Sequence, residues 1–324
     1  MKPKIQILLL FISVVIVSCS TKESANIPLP EHPRPNFERS VWQNLNGTWQ
    51  FKPDSANVGL DENWQSEAEF FDQNILVPFS WASPTSGITL PNVHVGWYSR
   101  SFTIENHKLW EGKDAYLNFM ASDFNTSVWL NGKKVGDHSG GYTPFDFNIS
   151  DQLQDGENQL VVRVEDEELR NRPSGKQYYG NAKGIWQTMY LEARSKNHIT
   201  GIFFTPDIDK KEVGVRLDLA SETKSETEFI LYGSDIDFKS TIPVGKNEVE
   251  FDVSIPNMKL WDLDNPYLYE VNAALNGEEI VDEVEAEIEK EVEKAGEEAL
   301  FDLGLGSMHP DLIKHVGMLK YRTS

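Results

Sequence analysis

The chain of 324 residues is 39% hydrophobic and 25% charged, which is room for two ordinary domains but not for a catalytic α/β barrel of roughly 250 residues behind two others. A formal net charge of −21 excludes nucleic acid as a partner, because neutralising phosphate takes clustered Lys and Arg. Aromatic content of 11%, with nine Trp, fits either large β-sandwich cores or sugar-stacking platforms.

In chain order, Lys2 and Lys4 precede an apolar run of thirteen residues, 5–17, too short to span a bilayer and suited to a signal-peptide core. Ser18 stands directly before Cys19, the only cysteine, in a pattern resembling a bacterial lipoprotein cleavage box. Residues 1–18 therefore read as a lipoprotein signal peptide and Cys19 as the lipidated N-terminus of the mature chain. The expected location is exported and membrane-anchored, in the periplasm or on the surface of a bacterium. A lone cysteine allows no disulfide or thiolate metal site within the chain, and no metal or other cofactor is expected. Residues 19–36 are polar and Pro-rich and read as a tether.

Residues 37–194 show short alternating strands broken by turn residues. Leu45, Trp49 and Phe51 share one strand face; Tyr98, Phe102 and Ile104 share another; Leu160, Val162 and Val164 alternate with Val161, Arg163 and Glu165. Val128-Trp129-Leu130 runs into Asn131-Gly132, a strong type I′ hairpin signal. A two-sheet jelly roll is expected. Residues 195–281 repeat the pattern with Val213, Val215, Leu217 and Leu219, then Val249, Phe251 and Val253, then Tyr267, Tyr269, Val271, Ala273 and Leu275. Regularly spaced strands over this length predict an immunoglobulin-like sandwich.

Residues 282–324 change character. Val281, Val284, Ile288, Val292, Ala295 and Ala299 recur at three or four residues amid dense Glu, which predicts an amphipathic helix. Eleven acidic and two basic residues fall between 278 and 298, so much of the negative charge is local. Such a run is a solvated helix face or a partner-binding coiled coil. The overall expectation is an all-β chain of two sandwiches with a short α-helical C-terminal tail.

Several strings resemble the N-terminal half of family 2 glycoside hydrolases, the group of β-galactosidases, β-glucuronidases and β-mannosidases. They are Arg39-Ser40-Val41-Trp42-Gln43-Asn44-Leu45-Asn46-Gly47-Thr48-Trp49-Gln50-Phe51, Val77-Pro78 with Trp81, Gly96-Trp97-Tyr98-Ser99-Arg100, and Val128-Trp129-Leu130-Asn131-Gly132. They continue with Gly140-Gly141-Tyr142-Thr143-Pro144-Phe145, Gly184-Ile185-Trp186-Gln187, and Trp261-Asp262 with Asn265-Pro266-Tyr267-Leu268-Tyr269. The order and span, about residues 37–275, make the resemblance specific where single strings are weak. Trp97, Trp129 and Trp186, at strand starts or centres, suit sandwich core more than sugar platforms.

The resemblance implies a sugar-binding first domain, carbohydrate as partner, and retaining hydrolysis of β-galactosides or β-glucuronides by the full-length enzyme. That chemistry uses two carboxylates about 5 Å apart, held in the family by a third, barrel domain. Only 47 residues follow Gly277, so the catalytic pair is expected to be absent. Asn247-Glu248 echoes the acid/base signature but falls in an alternating strand and reads as structural.

The family's first domain also lends a loop to the active site, and here the corresponding stretch is 170–181. Gly175-Lys176-Gln177 resembles the loop motif, while Ser174 stands where an Arg often precedes that Gly, and Tyr178-Tyr179 where some relatives carry Asp. Asp166, Lys176, Gln177 and Tyr178 are the candidate sugar-contacting residues. The likeness breaks at about Glu285, and from Ala295 the chain resembles the segment of ribonuclease Y that joins its RNA-binding region to its phosphohydrolase domain. That match stops before the metal ligands, so His309 and His315 are not carried over as ligands. A cytoplasmic ribonuclease segment on an exported sugar-binding module reads as a chimeric or misjoined reading frame, with a natural fusion as the alternative. Two readings remain: the non-catalytic front of a family 2 glycosidase, or a stand-alone surface lipoprotein binding glycans or a protein. Oligomeric state is not legible.

Overall fold

The computed structural model describes residues 27–66, 70–166, 182–261, 266–277 and 281–288. Two β-sandwiches follow one another, and among the described residues there is no α-helix.

The first sandwich contains β1 (Trp42–Asn44), β2 (Gly47–Pro53), β3 (Gln73–Val77), β4 (Val95–Phe102), β5 (Asp114–Phe119), β6 (Ser122–Asp123) and β7 (Asn125–Leu130). It continues with β8 (Lys133–Ser139), β9 (Phe145–Asn148), β10 (Asn158–Glu165), β11 (Gly184–Ile185) and β12 (Met189–Arg194). A four-stranded sheet runs β1-β12-β5-β9, a six-stranded sheet runs β3-β2-β4-β10-β7-β8, and β6 pairs with β11 at one end. Period-two alternation aims Leu45, Trp49, Phe51, Tyr98, Leu117, Phe119, Leu160, Val162 and Leu191 into the space between the sheets. Asn131 and Gly132 adopt φ of 53° and 74°, the positive values a type I′ turn requires, and close the β7–β8 hairpin.

A smaller cluster sits on the outer side of the six-stranded sheet, where Trp64 and Phe71 cover Val95, Trp97, Trp129 and Val161. The Trp97 and Trp129 rings stack at 5.5 Å between centroids. Asp54 shapes the covering loop by accepting the Val58 and Gly59 N–H groups at 2.8 and 2.9 Å and the Trp97 indole N–H at 3.1 Å. Trp97 and Trp129 are therefore core.

The second sandwich contains β13 (Ile199–Asp207), β14 (Glu212–Leu219), β15 (Thr227–Gly233), β16 (Ile236–Ile242), β17 (Glu248–Ser254), β18 (Tyr269–Asn276) and β19 (Val281–Ile288). Three strands, β13-β14-β17, face four, β16-β15-β18-β19, the seven-stranded layout of an immunoglobulin-like fold. Its core is mostly aliphatic, with Val215, Leu217, Leu231, Val271 and Leu275, and it also takes in Phe37 from the N-terminal segment.

Two expectations are corrected here. Residues 281–288, read as the start of a helix, form β19, antiparallel to β18 from Tyr269 opposite Ile288 to Asn276 opposite Val281. Val284, Ala286 and Ile288 are buried in the second core while Glu283 and Glu285 are exposed. The helical count used Val281, Val284 and Ile288 but passed over Ala286, which completes a period of two. Pairing along the whole of β18 and burial of that face override the helix propensity of Glu and Ala. The β structure thus continues past Glu285, where the sequence pattern reads as breaking, to Ile288. The remainder of the tail, 289–324, lies outside the described residues.

Residues 27–36, read as tether, are applied to the first sandwich. Asn44 and Asn46 side chains donate to the Leu29 and Pro28 carbonyls at 2.9 and 3.0 Å. His32 is buried with its ring edge-on to Trp42 and Tyr190, 4.7 and 5.2 Å between centroids. Polar composition hid this docking because one histidine and a few backbone carbonyls carry it.

Candidate functional site

Two places in the molecule concentrate polar side chains. The first is the end of the first sandwich where β10 stops and β11 begins. Asp166 follows β10 directly; its N–H donates to the His94 carbonyl at 2.8 Å, and its own carbonyl lies 3.1 Å from His94 Nδ1. Lys176, Gln177 and Tyr178 lie outside the described residues, as does Cys19. Of the sugar-contact candidates, only Asp166 falls among the described residues.

The strings singled out in the sequence converge at this end for packing reasons. Gly184 has φ +81°, and a Cβ there would fall 2.5 Å from the Trp81 ring and onto the Tyr98 hydroxyl, so only glycine fits. Burial pushes the Tyr98 phenol well above its ordinary value, and its hydroxyl accepts the Ile185 N–H at 3.3 Å. The Trp186 indole N–H donates to the Gly141 carbonyl at 2.8 Å. Gly141 itself backs onto Asp123, 2.6 Å from where a Cβ would sit. Tyr142, 75% exposed, meets the half-buried Trp186 edge to face. Lys183, passed over in the sequence, is fully buried; its N–H donates to Ser80 Oγ at 2.9 Å and its ammonium to the Val93 carbonyl at 3.4 Å. Its position directly before Gly184-Ile185-Trp186, the most specific string, was the available signal.

Beside Asp166, a cleft of about 320 Å³ is lined by Asp54, Ser55, Asn57, Asn92, His94 and Glu165. Both carboxylates are committed, Asp54 to three N–H donors and Glu165 to Arg163 at 2.9 Å. The cleft can hydrogen-bond hydroxyls, but it does not present the paired, available carboxylates of glycoside hydrolysis. Glu248, of the Asn247-Glu248 dipeptide, stands on β17 opposite Asp218 and 3.6 Å from Arg216, a structural surface pair. Among the described residues no three His, Cys, Asp or Glu side chains converge as metal donors.

The second place is the seam between the sandwiches, which the sequence did not reveal. Core-facing residues of β5 and β12 leave Tyr116, Asn118, Tyr190, Glu192 and Arg194 on the outer face of the four-stranded sheet. Against that face Arg39, only 3% exposed, donates to Glu192 at 2.9 Å, to both Asp282 oxygens at 3.1 and 2.9 Å, and to the Ile199 carbonyl at 2.6 Å. The Ile199 N–H donates back to Asp282 at 2.9 Å. One guanidinium thus ties β12 of the first sandwich to β13 and β19 of the second, and Glu38 bridges Glu285 through backbone hydrogen bonds of 2.9 and 2.8 Å. Arg194 completes the network with Glu192, Asn118 and Asp146. Burial pushes the Glu192 carboxyl up, but Arg39 and Arg194 outweigh it and hold the group below the usual carboxylate range. Burial and Glu192 push the Tyr190 phenol up to about 12. A cleft of about 420 Å³ opens along this seam.

Known proteins place this architecture. Residues 42–203 match the sugar binding domain of glycosyl hydrolases family 2, and residues 197–288 match a second glycosyl hydrolases family 2 domain. A β-galactosidase from Thermoanaerobacter pseudethanolicus is 27% identical over 263 residues, covering 74% of this chain and 34% of that protein. A β-glucuronidase from Paenibacillus borealis is 25% identical over 268 residues, covering 75% of this chain and 44% of that protein. The apo structure of a β-glucuronidase from Ruminococcus gnavus shares the fold, with a TM-score of 0.62 at 20% identity over 78% of this chain and 46% of that one. The chain spans about a third of the length of the first curated relatives it matches. The two sandwiches, in this order and joined at this seam, make the chain a member of glycoside hydrolase family 2, comprising its sugar-binding and immunoglobulin-like domains.

Proposed function

We propose that residues 42–288 are the sugar-presenting front of an exported family 2 glycosidase that, at full length, hydrolyses O-glycosyl bonds in β-galactosides or β-glucuronides. The observation that carries this reading is the uninterrupted run of two family 2 domains from residue 42 to residue 288. Carbohydrate is the partner, met at the end of the sandwich between Asp166 and Trp186, with Lys176, Gln177 and Tyr178 in the intervening sequence. These domains position sugar and do not cleave it, since both carboxylates of the Asp166 cleft are engaged in holding the fold. Export follows from the Lys2-Lys4 leader and its apolar run, with a lipid on Cys19 holding the protein at a bacterial membrane. Residues 295–324, similar to the connecting segment of ribonuclease Y, supply no nuclease chemistry and join the sandwich beyond β19.

The test pairs long-read sequencing of the source locus across codons 270–324 with an intact mass of the protein made in its own host. The expected result is a lipid-modified N-terminus at Cys19 and a frame that continues past Ile288 into a barrel. Turnover of chromogenic β-galactosides or β-glucuronides should belong to that longer product. A frame ending at Ser324, together with glycan binding by the chain, would instead support a stand-alone glycan-binding lipoprotein. Turnover by the 324-residue chain itself, abolished by a single carboxylate substitution, would overturn the non-catalytic reading.

A further inference from the structure

The seam cleft holds three arginines, and they differ in one respect. Arg39 is bound to Glu192 and Asp282, and Arg194 to Glu192 and Asp146. Arg34 is half-buried with its guanidinium over the Phe37 ring, 4.5 Å from the centroid, and within reach of the Tyr190 hydroxyl. Among the described residues no carboxylate lies within ion-pairing distance of it. Asp146 also lines the cleft but is paired with Arg194. In a protein of net charge −21, Arg34 is thus the arginine of this cleft with no acid partner among the described residues, a recognition group whose planar fork matches a carboxylate.

Acceptors line the same cleft. His198 Nδ1 lies 2.8 Å from the Ser195 carbonyl, a partner that only accepts, so the ring proton sits on Nδ1 and Nε2 is left as an acceptor. Burial lowers the His198 proton affinity and keeps the ring neutral near pH 7. Thr200 and the Tyr190 hydroxyl complete a set that can serve ligand hydroxyls, and the walls of Phe37 and Phe145 are apolar. A volume of about 420 Å³ falls in the ordinary range of small-molecule pockets, about 300–1,000 Å³.

We propose that this inter-sandwich cleft binds a sugar-sized hydroxy-carboxylate, of which a uronic acid is the simplest form, with Arg34 taking the carboxylate and His198 Nε2 a hydroxyl. Such a ligand touches the N-terminal segment and both sandwiches at once, so its binding strengthens the seam. Because it bound only the assembled seam, it would also stabilise the fold by mass action.

The test titrates the purified chain with D-glucuronate, D-glucose and acetate by ligand-observed NMR at low salt, with a glucuronate-terminated oligosaccharide as a fourth probe. Glucuronate is expected to bind at least about tenfold more tightly than glucose or acetate, a gap of about 1.4 kcal/mol. Arg34→Gln should remove that preference with only a small loss of melting temperature in the absence of ligand, because among the described residues Arg34 forms no ion pair and touches only the Phe37 ring and the Tyr190 hydroxyl through its guanidinium. His198→Gln should weaken glucuronate and glucose together. Equal binding of the oligosaccharide identifies a chain-end uronate as the source, and binding of free glucuronate alone identifies the monosaccharide. No glucuronate binding, or binding indifferent to Arg34→Gln in a folded variant, overturns the proposal.

Discussion

The interiors of the two sandwiches and the seam between them are built on opposite principles. The interiors are apolar and follow strand alternation: side chains such as Leu117 with Leu191, or Leu231 with Ala273, stand opposite one another on paired strands. The seam is charged and non-local, since Arg39 meets Glu192 across 153 positions and Asp282 across 243. Apolar burial is non-directional, so it stabilises each sandwich without fixing how one sits on the other. A bidentate guanidinium between two buried carboxylates tolerates one geometry. The cores thus supply stability and the seam supplies orientation, which matters if the first sandwich must offer a sugar at a set place.

Removing one seam partner is the strongest way to break this comparison. Arg39→Met leaves Asp282 and Glu192 buried with reduced compensation, an effect expected to cost about 3–5 kcal/mol. Differential scanning calorimetry should then show the two sandwiches melting apart, where the wild-type chain is expected to melt as one unit. Adding Asp282→Leu to Arg39→Met should recover part of the loss, because an apolar pair of similar volume leaves no orphan charge. A single variant that melts like the wild type would show that the seam carries no coupling.

Reading the sequence succeeded where physics is local and failed where it is not. The Asn131-Gly132 turn was legible because only residues comfortable at positive φ suit it, and both adopt it. The alternation of β10 and β14 was legible because one face is buried along the whole strand. Arg39, Glu192 and Asp282 carry no signal of their meeting, since nothing in a single sequence shows that residues 153 and 243 positions apart come together. Lys183 had one local signal, its place directly before Gly184-Ile185-Trp186, but its contacts with Ser80 and Val93 are again distant in sequence. Residues 281–288 were ambiguous in kind, because Val284, Ala286 and Ile288 satisfy period two while Val281, Val284 and Ile288 satisfy a helical count. Mutation sharpens that distinction. Ile288→Ala removes a side chain from the second core and should cost about 2–5 kcal/mol, whereas the outward Glu285→Ala should stay within about 0.5 kcal/mol. Chemical denaturation of both variants measures the gap, and equal small effects would contradict the strand register.

The smallest expected effect concerns pH, and it again separates seam from core. His32 packs between the rings of Trp42 and Tyr190, with Nε2 3.9 Å from Glu192 and Nδ1 4.0 Å from Glu38. Arg34 and Arg39 are the nearby cations. Burial lowers its proton affinity, only partly opposed by Glu192, and burial lowers that of His198 as well. Above about pH 6.5 both rings are neutral in folded and unfolded chains alike, so they impose no penalty. Below it the unfolded chain takes up protons that the folded seam resists, and stability falls as pH falls. Glu192 adds to the decline at lower pH, since its depressed folded value means stabilisation that is lost as it protonates. Urea unfolding between pH 7.5 and about 5 should therefore show stability declining through the histidine range. A His32→Gln, His198→Gln double variant should flatten that decline without changing the apolar cores. A slope unchanged in the double variant would move the acid sensitivity away from the seam and onto the exposed carboxylates.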